Sequence, residues 1–234
     1  MLEALGFLTV VGRPTDAPTP AARRWFPLVG ALLGAAVGAV WWLADQAFPA
    51  FLAAVLAVAA DLALTGLLHA DGLVDAADGL LPPVDRDRRL AIMRTPDVGA
   101  FGVTTLAVVL LARVGALAAR PADVVLVAAL WCTSRTVAAV APATLRYARD
   151  DGLAASLVAG PASTLTGLAV IPAAAAAWLT VGWVGAAAVA AAVLGAAGVL
   201  GLARARIGGF TGDVLGAAIL VAETVGLVVA AARW

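Results

Sequence analysis

An all-α, polytopic membrane helix bundle of about seven spans is the fold class this chain predicts, and three observations predict it. Of its 234 residues, 63% are hydrophobic and 13% charged, with a mean hydropathy of +1.02, more apolar surface than a water-soluble domain of this length needs. Apolar runs near the roughly 20 residues that cross a bilayer fill most of the chain, so residues 1–234 read as one membrane domain with no separate soluble part. Arginines are shared unequally between alternate loops, as multi-pass insertion requires.

The opening segment, Met1 to Val11, lacks a basic start and holds too short an apolar core for a cleavable signal peptide, so the first span is expected to serve as its own insertion signal. Span one, Leu28 to Ala47, carries Gly30, Gly34 and Gly38 at four-residue spacing, which lets helix backbones approach closely. Span two, Phe51 to His69, encloses Asp61, an ionisable group that at membrane depth is expected to face the bundle interior. Span three runs from Phe101 to Ala119 and span four from Val124 to Ala141. Span four holds Cys132, the single cysteine, which excludes an intramolecular disulfide or a thiolate metal cluster. Spans five and six, Leu165 to Val184 and Gly185 to Ala203, share an Ala/Gly-rich stretch that reads as two short helices or one long helix broken near Gly182 to Gly185. Span seven runs from Val214 to Ala232 and carries Glu223, a candidate partner for Arg135 in span four. A count of six or eight spans is the alternative.

All 15 basic residues are arginine, balanced by 15 acidic ones, and the net charge of zero gives no support for nucleic-acid binding. Eleven arginines (Arg13, Arg23, Arg24, Arg86, Arg88, Arg89, Arg94, Arg146, Arg149, Arg204 and Arg206) fall in the N-terminal segment or in the loops after spans two, four and six; only Arg120 and Arg233 fall opposite. The positive-inside rule then places the N-terminus and the three larger loops in the cytoplasm and the C-terminus outside. Trp25, Trp41, Trp42, Trp183 and Trp234 lie near span ends, where indoles anchor at the headgroup level. The polar residues gather in the loops Asp71 to Ala100, Ala143 to Thr164 and Arg204 to Asp213, so an active site is expected to open to the cytoplasm.

The segment from His69 to Gly79 places Asp71, Asp75 and Asp78 within eight residues. On a helix, Asp75 lies about 40° and Asp78 about −20° from Asp71, so one face carries all three. Anions at such spacings repel, no basic residue lies between them, and an external cation compensates; oxygen ligands beside a diphosphate suit Mg²⁺ or Mn²⁺. A solvated helix end is the plainer alternative. His69, the only histidine, falls about 200° from Asp71 and is expected to face away from the carboxylates, as a helix-end residue or a distal contact.

Pro82 and Pro83 end that helix, and Arg86, Arg88, Arg89 and Arg94 then place four guanidinium groups in nine residues. Arginine forks bind phosphate bidentately, although cytoplasmic loops are arginine-rich in any case. Gly99 and Gly102 follow where the loop re-enters span three. Before span seven, the run Gly208-Gly209-Phe210-Thr211-Gly212-Asp213 forms a turn whose backbone can approach a ligand at an anion-seeking helix N-terminus; Asp213 reads alternatively as the N-cap.

Taken in order, these residues resemble the cobalamin synthase family, the adenosylcobinamide-GDP ribazoletransferases, through nearly the whole length. The resemblance is carried by Phe7-Leu-Thr, Arg13-Pro14, Phe26-Pro-Leu-Val-Gly30, the run from His69 to Gly79, Arg88, Ile92-Met-Arg94, Gly99-Ala-Phe-Gly102, Ser134-Arg135, Tyr147-Ala-Arg149 with Gly152, and Gly208 to Ala217 with Glu223. Thr95-Pro96 departs from the family's usual acidic and small polar pair. The resemblance implies a transferase of the bacterial cytoplasmic membrane, acting late in vitamin B12 assembly, in which α-ribazole or its 5′-phosphate displaces GMP from adenosylcobinamide-GDP. It implies Mg²⁺ held by Asp71, Asp75 and Asp78, and Asp213 as a second metal contact or as the group orienting the ribose hydroxyl. Arg88, Arg94, Arg135 and Arg149 are the implied phosphate contacts, with Gly209, Thr211 and Gly212 on the substrate side. A prenyl- or CDP-alcohol-type transferase and a transporter are the rival classes. The first would show its own aspartate spacings, and the second inverted repeats with midplane polar sites.

Overall fold

The computed structural model describes residues 1–12, 18–149, 152–158 and 164–233. Helices α1 (Leu2–Leu8), α2 (Phe26–Asp45), α3 (Ala50–Leu64), α4 (Leu68–Leu80), α5 (Arg86–Ile92), α6 (Ala100–Ala118), α7 (Val124–Thr144), α8 (Thr164–Gly167), α9 (Val170–Val181), α10 (Trp183–Ile207) and α11 (Gly212–Ala231) follow in order, with 3₁₀ turns at Pro20–Trp25 and Leu153–Leu157.

Five helical segments are long and apolar enough to cross a bilayer: the 3₁₀ turn with α2, then α6, α7, α10 and α11; α3 and α4, bent by 89°, make a sixth if taken together. The chain is a multi-pass membrane protein. Its outward surface is that of a lipid-facing bundle, with Leu111, Leu165, Leu179 and Leu194 each more than 70% exposed, which water would penalise and hydrocarbon does not. All seven expected spans are helical, but two differ from the spans read in the sequence. Expected span two does not run straight to His69: α3 stops at Leu64, and Gly66 (φ 58°) and Leu67 (φ 63°) turn the chain. Hydropathy does not register two successive left-handed residues, a conformation costly for leucine. Expected span five is the short pair α8 and α9, and the Ala/Gly-rich stretch breaks at Gly182 (φ 66°) into two helices.

Helix α11 lies at the centre, packed against α4, α6, α7 and α10, while α2 packs along α7. The Gly30, Gly34 and Gly38 ridge makes that second contact possible: a Cβ on Gly34 would stand 2.7 Å from Val127 O, and one on Gly38 2.9 Å from Val124 Cα. Trp42 and Trp183 are about half exposed, as interfacial anchors should be, whereas Trp41 is fully buried. Trp41 faces the core one helical step from Trp42, so it packs the bundle and does not anchor it. Arg13, Pro14 and Trp234 lie outside the described residues.

Candidate active site

The polar segments separated in sequence meet at one end of the bundle. Gly72 of α4 sits against the first turn of α11, where a Cβ would meet Asp213 O at 2.9 Å and Gly216 Cα at 3.3 Å. Glycine at both crossing positions lets two backbones approach, and this contact brings the aspartates of α4 to Asp213. Asp71 and Asp213 line one cavity. Asp75, one turn on, is half-buried in the combined field of Asp213, Asp71 and Asp78, with Arg149 as the opposing charge.

Asp78 departs from the shared stripe. Its Oδ2 accepts from Gly99 N at 2.7 Å and its Oδ1 from Gly102 N at 2.9 Å. The carboxylate therefore caps the N-terminus of α6 from a different helix, satisfying donors that Gly99, lacking a side chain, leaves open. A Cβ on Gly102 would crowd Asp78 Oδ2 and would stand 2.7 Å from Val74 Cγ1, which is why the re-entry carries glycine. Asp78, assigned in the sequence to metal, is thus committed to backbone. Among the described residues, no three His, Cys, Asp or Glu side chains converge on a point that could hold an ion. Asp71 and Asp213 offer hard oxygen donors on the cavity lining, with Asp75 in their field one turn away. They fit Mg²⁺ only in the mode in which one or two carboxylates share the ion with waters and substrate phosphates.

The arginines separate by role. Arg89 is buried and donates through Nη1 to Gly79 O at 2.9 Å and Leu80 O at 2.7 Å, closing the C-terminus of α4. Arg86 donates to Ile207 O and Ala148 O, both at 3.0 Å, pinning α5 to the end of α10 and to the segment after α7. Arg88 is solvent-exposed and does not line the cavity or the hollow described here. Arg94 lines an open basic hollow of about 320 Å³ together with Arg86 and Arg149. Arg149 donates to Asp213 Oδ2 at 2.8 Å and to Met93 O at 3.1 Å.

Arg135 is placed elsewhere again. Asp61, Arg113, Glu223 and Arg135, from α3, α6, α11 and α7, form a buried chain of ion pairs. Arg113 meets Asp61 at 2.6 Å and Glu223 at 3.0 Å, and Arg135 pairs with Glu223. Trp131 Nε1 donates to Asp61 at 2.8 Å and Ser134 Oγ to Glu223 at 2.9 Å. Two cations and two anions balance, which is what allows them all to be buried at such depth. The expected Arg135–Glu223 pairing is present, and it withdraws Arg135 from substrate phosphate. The far end of the chain reaches His69: Arg135 Nη2 stands 3.5 Å from its Nδ1.

The glycine-rich turn also divides. Gly208 (φ 78°) ends α10 in the left-handed region, and Gly209 lies so close to Arg146 O that no Cβ fits. Phe210 accepts from Ala148 N and donates to Arg146 O, both at 2.9 Å, a parallel bridge pairing Tyr147 with Phe210. Gly209 therefore packs backbone on backbone. The N-cap of α11 is Thr211, whose Oγ1 accepts from Val214 N at 3.3 Å, and not Asp213. Gly212 lines the cavity, has no left-handed φ, and has room for a Cβ, with Ala154 Cβ the nearest atom at 3.7 Å.

Two adjoining hollows result. The cavity, about 280 Å³, is lined by the polar Asp71, Asp213 and Arg149 and by the apolar Phe7, Phe26, Leu215 and Ile219. The basic hollow shares Arg149 with it. His69 and Phe7 are among the cavity residues that hydropathy and helical angles alone do not place. No sequence signal marked His69: the bend at Gly66 and Leu67, two residues before it, re-aims the helix that carries it. Such a site can hold a phosphate-bearing group against arginines while an uncharged partner is enclosed beside it, with carboxylates at the junction.

A family model described as cobalamin-5-phosphate synthase matches residues 1–231. The chain is 37% identical over 224 residues to the adenosylcobinamide-GDP ribazoletransferase of Leptothrix cholodnii, covering 87% of this chain and 81% of that protein. It is 37% identical over 230 residues to proteins of the same name in Shigella flexneri and Escherichia coli K12, covering 88% of this chain and 92% of each. No solved structure matches the chain.

Proposed function

This chain belongs to the cobalamin-5-phosphate synthase family, and from that premise we propose that it is an adenosylcobinamide-GDP ribazoletransferase. It joins adenosylcobinamide-GDP to α-ribazole or its 5′-phosphate and releases GMP. A ribose hydroxyl forms the new P–O bond at the corrinoid-side phosphorus as the bridging P–O bond to GMP breaks. Such a displacement needs positioning and neutralised charge, not a protein nucleophile.

The observation that carries the reading is the Arg149–Asp213 pair, 2.8 Å apart, at the junction of the two hollows. Arg94 and Arg149 hold the diphosphate from the basic side, where Arg86 keeps α5 in place. Asp213, fixed by Arg149 and by Thr211 Oγ1 at 3.2 Å, orients the incoming hydroxyl. Asp71 and Asp75 would hold Mg²⁺, which when bound neutralises charge on the departing phosphate. The protein sits in the bacterial cytoplasmic membrane with this end of the bundle in the cytoplasm, in keeping with the arginine distribution.

Purified, detergent-solubilised protein given adenosylcobinamide-GDP, α-ribazole and Mg²⁺ should release GMP and form the corrinoid product, and Mg²⁺ chelation should stop it. Asp75→Asn should lower turnover roughly a hundredfold or more while unfolding at the parent temperature or above, because it removes one of several crowded anions. Parent turnover by that variant at saturating Mg²⁺ would remove Asp75 from the site.

A further inference from the structure

This cavity of about 280 Å³ and His69 together carry an inference that rests on the transferase reading and says which substrate goes where. We propose that this cavity seats the heteroaromatic base of the acceptor nucleoside, and that His69 Nε2–H donates a hydrogen bond to the bare ring nitrogen of that base.

His69 lines the cavity and is 3% exposed. Arg135 Nη2 faces its Nδ1 at 3.5 Å. A guanidinium only donates, so Nδ1 presents its lone pair and the ring proton resides on Nε2. The buried network holds Arg135 in that orientation through Glu223 and Ser134 Oγ, the latter at 2.9 Å. Among the described residues, Nε2 is buried without a hydrogen-bond partner, an arrangement that disfavours the protein alone and that a ligand acceptor resolves.

Size and lining select the ligand. At about 280 Å³ the cavity lies at the small end of pockets for drug-sized molecules, which run from roughly 300 Å³ upward. It admits one nucleoside-sized group and excludes a corrinoid. Phe7 and Phe26 stack with ring centroids 5.8 Å apart and planes 16° from parallel, and with Leu215 and Ile219 they make an apolar seat for a flat, uncharged ring. A guanine presents several donors and acceptors that this interior would leave unmet, whereas a benzimidazole presents one bare nitrogen. Its ribose then lies toward Asp213 and Arg149, at the opening to the basic hollow where the diphosphate is held.

The test uses the full-length protein in detergent and two probes, α-ribazole and its analogue in which the bare ring nitrogen is replaced by CH. The wild type should bind α-ribazole roughly ten- to a hundredfold more tightly than the analogue. His69→Leu should bind the two alike, and His69→Gln, which keeps an N–H donor near the Nε2 position, should restore much of the preference. Affinity for adenosylcobinamide-GDP should stay at the parent value in both variants. Equal binding of the two probes by the wild type overturns the assignment without any variant having to fold. Parent-like discrimination in folded His69→Leu, or loss of corrinoid affinity in place of nucleoside affinity, overturns it as well. GMP release with α-ribazole by a wild type that fails these binding tests leaves the transferase reading standing, and its absence removes both.

Discussion

Replacing Asp78 by asparagine separates a capping carboxylate from a metal ligand, because the two roles predict opposite pairings of stability and turnover. In the structure both carboxylate oxygens accept backbone N–H groups, from Gly99 at 2.7 Å and Gly102 at 2.9 Å. An asparagine oxygen can keep one of these bonds, but its amide nitrogen then turns a donor toward the other N–H. The variant loses one charge-assisted bond, weakens the second and leaves a buried donor unmet, together about 2–4 kcal/mol. For a chain of this length that corresponds to a fall of roughly 5–15 °C in unfolding temperature. The assay is thermal unfolding in detergent, followed by intrinsic tryptophan fluorescence, with turnover measured at 20 °C on the folded fraction. Turnover should fall far less than in Asp75→Asn. An Asp78→Asn protein that unfolds within about 2 °C of the parent yet loses turnover would refute the capping role and return Asp78 to the ion.

The buried ion-pair chain gives a second contrast. Glu223→Gln strands Arg113 and Arg135 against the single carboxylate of Asp61 and should cost about 3–5 kcal/mol, whereas Arg135→Leu combined with Glu223→Leu leaves a balanced Arg113–Asp61 pair and should recover at least half of that in a denaturation series. On the glycine turn, Gly209→Ala should destabilise the fold through contact with Arg146 O, while Gly212→Ala should fold with a parent unfolding temperature, since its Cβ meets only Ala154 Cβ at 3.7 Å; equal unfolding temperatures for the two would contradict the packing described. Orientation is open to labelling: Val84→Cys in a Cys132→Ala background should resist impermeant thiol reagents on intact cells, and rapid labelling would invert the topology.

Much of the molecule was legible because a bilayer imposes a simple code. Hydrocarbon rejects unpaired backbone and charge over a fixed thickness, so composition and run length suffice to identify a helical membrane bundle and locate its apolar helices. Gly30, Gly34 and Gly38 announce a close helix contact by spacing alone, for which the structure supplies α7 as the partner, and Arg135 and Glu223 announce a pair because ions at depth need one. The aspartate segment and the glycine-rich turn were both marked as parts of one site, and the crossing of Gly72 with Gly216 does bring Asp71 and Asp75 to Asp213.

What the sequence by itself determined is therefore the class of fold and the residue types assembled at one end of the bundle. Only the tertiary structure decided how those residues divide their work. A helical stripe fixes which way three carboxylates point relative to one another, but not what stands opposite them. Asp78 faces the open N-terminus of α6 and becomes a cap, whereas Asp75 lies in the field of Asp213 and Asp71. Likewise an arginine count fixes charge and not geometry: Arg89 closes α4, Arg86 pins α5, Arg135 neutralises Glu223, and Arg149 reaches the junction of the two hollows. The angle of 89° between α3 and α4 redirects His69 from the continuation of a straight span toward Arg135 and the cavity. Hydropathy is blind to it because it sums side-chain transfer energies and carries no information about φ.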